Sequence, residues 1–396
     1  MRNWQKIKLG DVCNYTSNRV NVESLTLNTY ISTENMQPMR GGVTTASSIA
    51  TVANVSAFNK GNVLVSNIRP YFKKIWFADR DGGCSNDVLC FVAKQDLISA
   101  RYLYYLLSQD YFFDYVMSGA KGSKMPRGDK QQIMQFEFDL PAMEEQRRIA
   151  EVLGSLDDKI ELNNRINKNL EEQASALFKR WFVDFEFPNT DGNPYKSAGG
   201  KFIDSPLGQI PLGWRVGSIY DIADVIYGAP YKSKLFNEEK MGLPLIRIRD
   251  LKTNSPQYFT EEILPNTEYI TKGDIVAGMD AEFIPYLWQG DKGVLNQRVC
   301  KFNPNSSDIS NYFVYFAVKP HLEFIQFHKV GTTVSHMGKS DIDRIEVLIP
   351  TDDILLLYKQ ITEPILTQRI TLSTENQNLA QLRDSLLPKL MNNEIK

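Results

Sequence analysis

Residues 122–141 read GSKMPRGDKQQIMQFEFDLP, and residues 331–350 read GTTVSHMGKSDIDRIEVLIP. The stretches align without a gap: Gly122 with Gly331, Lys130 with Lys339, Ile133 with Ile342, Glu137 with Glu346, Pro141 with Pro350. The offset is 350 − 141 = 209 residues. Solenoid units span about 20–50 residues, so a repeat this long is a duplicated domain. The match extends outward with small gaps. Trp4 aligns with Trp214, Lys60-Gly61 with Lys272-Gly273, Asn86 with Asn296, Cys90 with Cys300 and Asn169-Leu170 with Asn378-Leu379. A colinear series of this kind implies two similar sites, or one site of pseudo-two-fold symmetry.

Each copy follows one plan. Residues 1–141 alternate short β-rich runs, such as Asn62–Ser66 and Lys74–Phe77, with turns, and helical spacing shows over 101–107. Residues 214–350 repeat this pattern, so the fold class is α+β. From Met143 the chain turns to good helix formers with few breakers. The helical regions are 142–183 and 351–396. Gly154 and Pro364 fall at nearly matching places, which predicts a short helix, a bend, then a longer one in each copy. Beyond the bend, Asn163, Asn167, Leu170, Ala174, Leu177 and Trp181 follow heptad spacing. The offset carries them onto Leu372, Asn376, Leu379, Arg383, Leu386 and Leu390. This predicts a coiled-coil seam in which Asn167 and Asn376 fix register. Residues 184–213 form a linker whose start, Pro188–Gly200, is dense in turn formers.

Bulk properties narrow the function. The chain has 396 residues, 42% of them hydrophobic and 11% aromatic, ample for a core in each half. Nothing resembles a secretory signal or a bilayer-spanning run, and the four cysteines show no paired spacing, so a cytoplasmic protein with reduced thiols and no membrane association is expected. The net charge of −2 and pI of about 6.1 argue against a generally basic nucleic-acid coat. Residues 1–140 hold 16 Lys/Arg against 12 Asp/Glu, and residues 200–349 hold 16 against 18, so the second half must rely on placement of charge. The three histidines lack zinc-ligand spacing. Gly122-Ser123-Lys124 lacks the order of a phosphate loop. Asn193-Pro194-Tyr195 resembles an amino-methyltransferase motif but lacks a proline, and linker turn chemistry explains it better. No catalytic constellation or metal site is expected on this chain.

The stretch LPAMEEQRRIAEVLGSLDDKIELNNRINKNLEEQASALFKRWF at 140–182 resembles the central conserved region of type I restriction–modification specificity subunits. Phe187-Pro188-Asn189 through Asn193-Pro194-Tyr195, with Ile210–Trp214, is similar to the segment that opens their second half. Leu379 through Leu390 is similar to their distal conserved end. The resemblance covers essentially the whole chain. It implies two similar mixed α/β target recognition domains, 1–141 and 214–350, each followed by a long helix. The two helices would form an antiparallel coiled-coil spacer. Each domain would read one half of a bipartite double-stranded DNA site. The chain itself would be non-catalytic and hold no cofactor. Two modification subunits would carry S-adenosylmethionine, and two restriction subunits would carry ATP and Mg.

Candidate readers follow from residue type, since Arg and Lys suit guanine and phosphate while Asn suits adenine. In the first domain they are Asn67, Arg69, Tyr71, Lys73 and Lys74 after a strand, and Lys121, Ser123, Lys124, Arg127 and Lys130 in the most basic loop. In the second they are Thr332, Thr333, His336 and Lys339 of the matching loop, with Arg247 and Arg249, which would face one side of a strand. Asp250 beside them offers a plain salt-bridge explanation. The cluster Tyr102, Tyr104, Tyr105, Tyr111, Phe112 and Phe113 reads mainly as core. Two other readings remain: a coiled-coil scaffold that joins proteins without reading DNA, and a DNA-modifying enzyme of unrecognised fold.

Overall fold

The computed structural model describes residues 4–329 and 336–395. The chain divides into two compact units, Met1–Ile160 with Asn378–Lys396, and Glu161–Gln377. The units cut across the linear segments, because each contains a part of both long helices.

In the first unit, one antiparallel sheet has the order Cys13–Tyr15, Val88–Ala93, Val63–Ser66, Ile75–Phe77. A second has the order Arg19–Asn21, Asn54–Phe58, Gly82–Cys84, Tyr30–Ile31, the last pair parallel. Side chains alternate across a strand. Val63 and Val65 therefore join the core under the helices Ala100–Leu107 and Asp110–Ser118, while Leu64 joins Trp76, Cys84 and Cys90 on the other face. Gln5–Lys8 pairs with Glu137–Leu140 and closes the domain. Tyr102, Tyr105, Phe112 and Phe113 are buried, as expected of core residues, whereas Tyr111 is exposed.

The second unit repeats the design. Its antiparallel sheet runs Ala223–Tyr227, Val299–Pro304, Ile275–Gly278, Pro285–Leu287, and Arg215–Ser218 pairs with Glu346–Ile349. Ile275 and Ala277 face one core and Val276 another. The other sheet differs. Its extra strand, Phe259–Thr260, lies beyond Leu243–Ile246, the strand that pairs in parallel with Gly293–Leu295. In the first unit the extra strand lies at the opposite edge, beyond Asn54–Phe58. The linker folds onto this unit: Tyr195 stacks on Phe187, and Phe187 stacks on Trp214. Asn193-Pro194-Tyr195 thus does structural work, with the Asn189 side chain accepting from the backbone N–H groups of Asp191 and Asn193.

The expected bends are not breaks. The central helix, Met143–Phe178, has 36 residues, and the distal helix, Asp352–Met391, has 40, continuing through Pro364. Gly154 serves a close approach instead. A Cβ there would lie 2.7 Å from the Arg101 guanidinium carbon. Arg101 Nη2 donates to the Gly154 carbonyl (3.1 Å), and its fork grips Asp158 at 2.6 and 3.0 Å.

The helices pack antiparallel within each unit, but the seam is more polar than heptad spacing predicts. In the second unit Asn163 donates to Glu375 and Asn376 (2.8 and 2.9 Å), Asn376 donates to Asn164 (2.9 Å), and Asn167 approaches Ser373 (3.5 Å). Arg369 bonds Glu171 (2.9 Å) and the Tyr312 hydroxyl (2.8 Å). Asn167 and Asn376 therefore meet other residues rather than each other. Leu170 and Leu177 are only partly buried, and Leu177 packs on the domain core. In the first unit Arg383 bonds Asp157 (2.8 Å), and Asp157 accepts from Tyr105 (2.6 Å). Leu379 and Leu386 are half-buried there, and Leu387, Leu390 and Met391 carry the contact with the first domain's core.

The four cysteines are free and buried, and burial pushes the Cys13, Cys84 and Cys300 thiols up to about 12. Among the described residues, no helix is long and apolar enough to cross a membrane, and no cluster of His, Cys, Asp and Glu could hold a metal.

Candidate nucleic-acid interface

The two candidate loops of the first domain lie together. The strand Val63–Ser66 ends in a turn that puts Arg69 in the left-handed region (φ 48°), just before Pro70. Lys121 and Arg127 exchange backbone hydrogen bonds at 2.9 and 3.0 Å, which makes residues 121–127 a small hairpin. Ile68 forms a β-bridge with Arg127, and Arg69 N donates to the Pro126 carbonyl (2.8 Å). The sequence pattern brought out both loops, and the fold makes them one surface.

Their side chains sort into different duties. Asn67 leaves the candidate set: it is buried, and its amide donates to the Gly128 carbonyl at 3.2 Å, so it ties the hairpin base and cannot meet a base edge. Lys73 is held by Asp110 at 2.8 Å, and Arg40 also pairs with that carboxylate. Lys74 donates to the Thr33 carbonyl (2.6 Å), and burial pushes its ammonium below the usual lysine range. These two lysines brace the turn. Lys121 pairs with Asp129 (2.9 Å), and Arg127 pairs with Asp87 (3.2 Å), yet both cations are exposed. Bonding to Lys121, then to the Gln132 and Gln131 backbone N–H groups, holds the Asp129 carboxyl below its ordinary range. Tyr71, Ser123, Lys124 and Lys130 are exposed, and Tyr71 rests against Phe72. Arg69 is half-buried, with its Nε unbonded.

The second domain has the same frame. The strand Ile275–Gly278 ends in a turn with Ala281 at φ 62°, Asp280 bridges His336, and Met337 N donates to the Met279 carbonyl (2.8 Å). Gly128 N and the Asn67 carbonyl make the equivalent bond (3.3 Å) in the first domain. His336 Nδ1 donates to Asp280 Oδ1 (2.6 Å), and Arg298 Nε lies 3.2 Å from Asp280 Oδ2. Gln326 pins the turn, accepting from Phe283 N (2.7 Å) and donating to the Ala281 carbonyl (3.0 Å). Lys339 is exposed at the start of the one-turn helix Lys339–Ile342. Thr332 and Thr333 lie outside the described residues.

The expected strand pair of Arg247 and Arg249 is corrected. The strand ends at Ile246, and a one-turn helix begins at Ile248, so Arg247 precedes the helix and Arg249 lies within it. Asp250 accepts from the backbone N–H of Arg247 (3.0 Å), which stops the strand and starts the turn. The Arg247 side chain is held by Asp250 and lies over the Tyr258 ring, while Arg249 is exposed. Sequence reading missed Asp87, Asp280 and Arg298. The repeat hid the match of Asp87 to Arg298, because the aligned segments set Asp87 against Gln297, whereas the strand register, Val88 opposite Ser66 and Val299 opposite Gly278, makes Asp87 and Arg298 equivalent.

Comparison with known proteins agrees with the duplication. The family model for the type I restriction modification DNA specificity domain matches twice, at residues 1–172 and 211–383. The type I restriction enzyme HindI specificity subunit of Haemophilus influenzae is 24% identical over the full length of both chains. The MjaIX specificity subunit of Methanocaldococcus jannaschii is 27% identical, over 77% of this chain and 71% of its own. A crystal structure of the type I restriction–modification S subunit from M. genitalium matches 98% of this chain and 96% of its own, with a TM-score of 0.55 and 16% identity, a likeness of fold. This chain belongs to the type I restriction–modification DNA specificity family and carries the family's domain twice.

Proposed function

We propose that this chain is the DNA sequence-specificity subunit of a type I restriction–modification complex, in which each domain reads one half of a bipartite site and the two long helices set the spacing. The observation that carries the reading is the double match to the specificity domain, each copy bridging the turn after its strand to the returning loop, Ile68 to Arg127 and Asp280 to His336. The chain contributes recognition and no chemistry. Modification subunits, two per chain, supply S-adenosylmethionine and methyl transfer, and two restriction subunits supply ATP- and Mg-dependent cleavage. A chain of net charge −2 suits this division, because local cations position and specify while partner subunits add affinity.

The test is reconstitution. The chain with a cognate modification subunit should methylate one interrupted sequence, and the chain alone should transfer no methyl group. Methylation by the chain alone would support the enzyme reading. A complex that assembles but binds all DNA equally would support the scaffold.

A further inference from the structure

We infer that one ion-paired corner in each domain reads the half-site, with Arg127 and Arg298 as its specificity-determining cations and Asp87 and Asp280 as their positioning residues. This deepens the proposed function and rests on it. Three places make the corner: the turn after the strand (Ile68 or Asp280), the residue before the neighbouring strand (Asp87 or Arg298) and the returning loop (Arg127 or His336). The backbone frame is the same in both copies, including the left-handed residue that follows the turn position, Arg69 or Ala281.

The side chains are redistributed. In the first domain the loop holds the guanidinium and the strand holds the carboxylate, 3.2 Å apart. In the second the strand holds the guanidinium, the turn holds the carboxylate and the loop holds a histidine, with contacts of 3.2 and 2.6 Å. Exposed ion pairs contribute little to stability, so stability alone does not explain a pair kept in both copies but built from different positions. Placement does. A carboxylate that grips one edge of a guanidinium fixes its plane and leaves other N–H groups outward, and Arg127 and Arg298 are each more than half exposed. A preorganised fork loses less entropy on bidentate bonding to guanine O6 and N7. The same frame would thus offer its fork from the hairpin side in one domain and from the strand side in the other, so the halves address different base positions.

The experiment uses the full chain reconstituted with its modification subunits, on duplex libraries randomised in one half-site at a time. Arg298→Ala and Arg298→Lys should each relax one or two base positions of the second half-site about 10- to 100-fold, with the first half-site unchanged. Lysine keeps the charge but loses the fork, so similar relaxation by both variants separates readout from charge and from misfolding. Arg127→Ala should do the same to the first half-site. Asp280→Asn and Asp87→Asn should give smaller relaxations at those same positions, with the salt dependence of affinity preserved. Equal weakening on every sequence, with the log–log salt slope reduced by about 0.9, would make these arginines phosphate contacts and overturn the inference. Unchanged discrimination would also overturn it. A wild-type complex without sequence preference would instead overturn the proposed function itself.

Discussion

One arginine tie between domain and long helix runs with opposite polarity in the two halves. In the first unit the domain supplies the cation: Arg101 reaches to Asp158 and the Gly154 carbonyl of the central helix. In the second the helix supplies it: Arg369 of the distal helix reaches to the domain's Tyr312 and to Glu171 of the central helix. The corners show the same exchange, with Arg127 on Asp87 in one copy and Arg298 on Asp280 in the other. After duplication, the backbone frame and the places where polar ties are needed persisted, while the donor and acceptor changed sides. A tie requires complementarity, not one particular residue at one particular position.

The largest expected effect lies in the burial difference between the two anchors. Arg369 is 8% exposed and Arg101 32%. Arg369→Ala would strip two partners in a mostly buried seam and should destabilise by about 3 kcal/mol, the low end for breaking a buried pair because Glu171 keeps some solvent. Arg101→Ala should cost about 1 kcal/mol, since its pair is partly solvated. Equilibrium unfolding of the two variants tests the contrast, and equal losses would break it.

The next effect compares the two left-handed turn residues. Neither is glycine, and an L side chain in that region costs on the order of 1 kcal/mol. Ala281 carries no functional group, so Ala281→Gly should raise stability by up to about 1 kcal/mol with recognition of the second half-site intact. Arg69→Gly should relieve similar strain but weaken the first half-site if Arg69 touches DNA. Melting curves and half-site selection on the same preparations check both arms. Equal effects on recognition would mean that the turn, not the arginine, matters.

The gapless match of 122–141 to 331–350 already implied two domains of one design, and the breaker-poor run from Met143 implied the helix after each. Interleaved basic and aromatic residues implied two loops but not that they share a surface, because the Ile68–Arg127 bridge joins residues 59 apart. The misreadings have local causes. Asn67 looks like a reader by residue type, but its burial depends on Gly128 passing beside it. Arg247 and Arg249 alternate as on a strand, but the backbone N–H of Arg247 bonding Asp250 ends the strand one residue earlier. The heptads placed the seam without revealing that asparagine, serine and arginine fill it. Which unit each helix segment joins is a property of long-range packing and left no mark in the local pattern.

The smallest effect concerns two carboxylates whose environments push in opposite directions. Hydrogen bonding to Lys73, and then to Arg40, holds the Asp110 carboxyl below its ordinary value of 3.8. Burial holds the Asp250 carboxyl above it, partly offset by bonding to Arg247. For Asp110 the unfolded chain is the better proton acceptor, so the stability from its pairing is complete above 3.8 and is lost as pH falls through the lower folded value. For Asp250 the folded chain binds the proton better, so its contribution is complete below 3.8 and is lost as pH rises through the higher folded value. The asparagine variants do not titrate and serve as references. Urea midpoints measured from roughly pH 3 to 6 should show the wild-type advantage over Asp110→Asn shrinking on acidification. The difference from Asp250→Asn should shift toward the variant as pH rises. Slopes of the same sign for both would show that net charge, not these two local environments, controls the acid response.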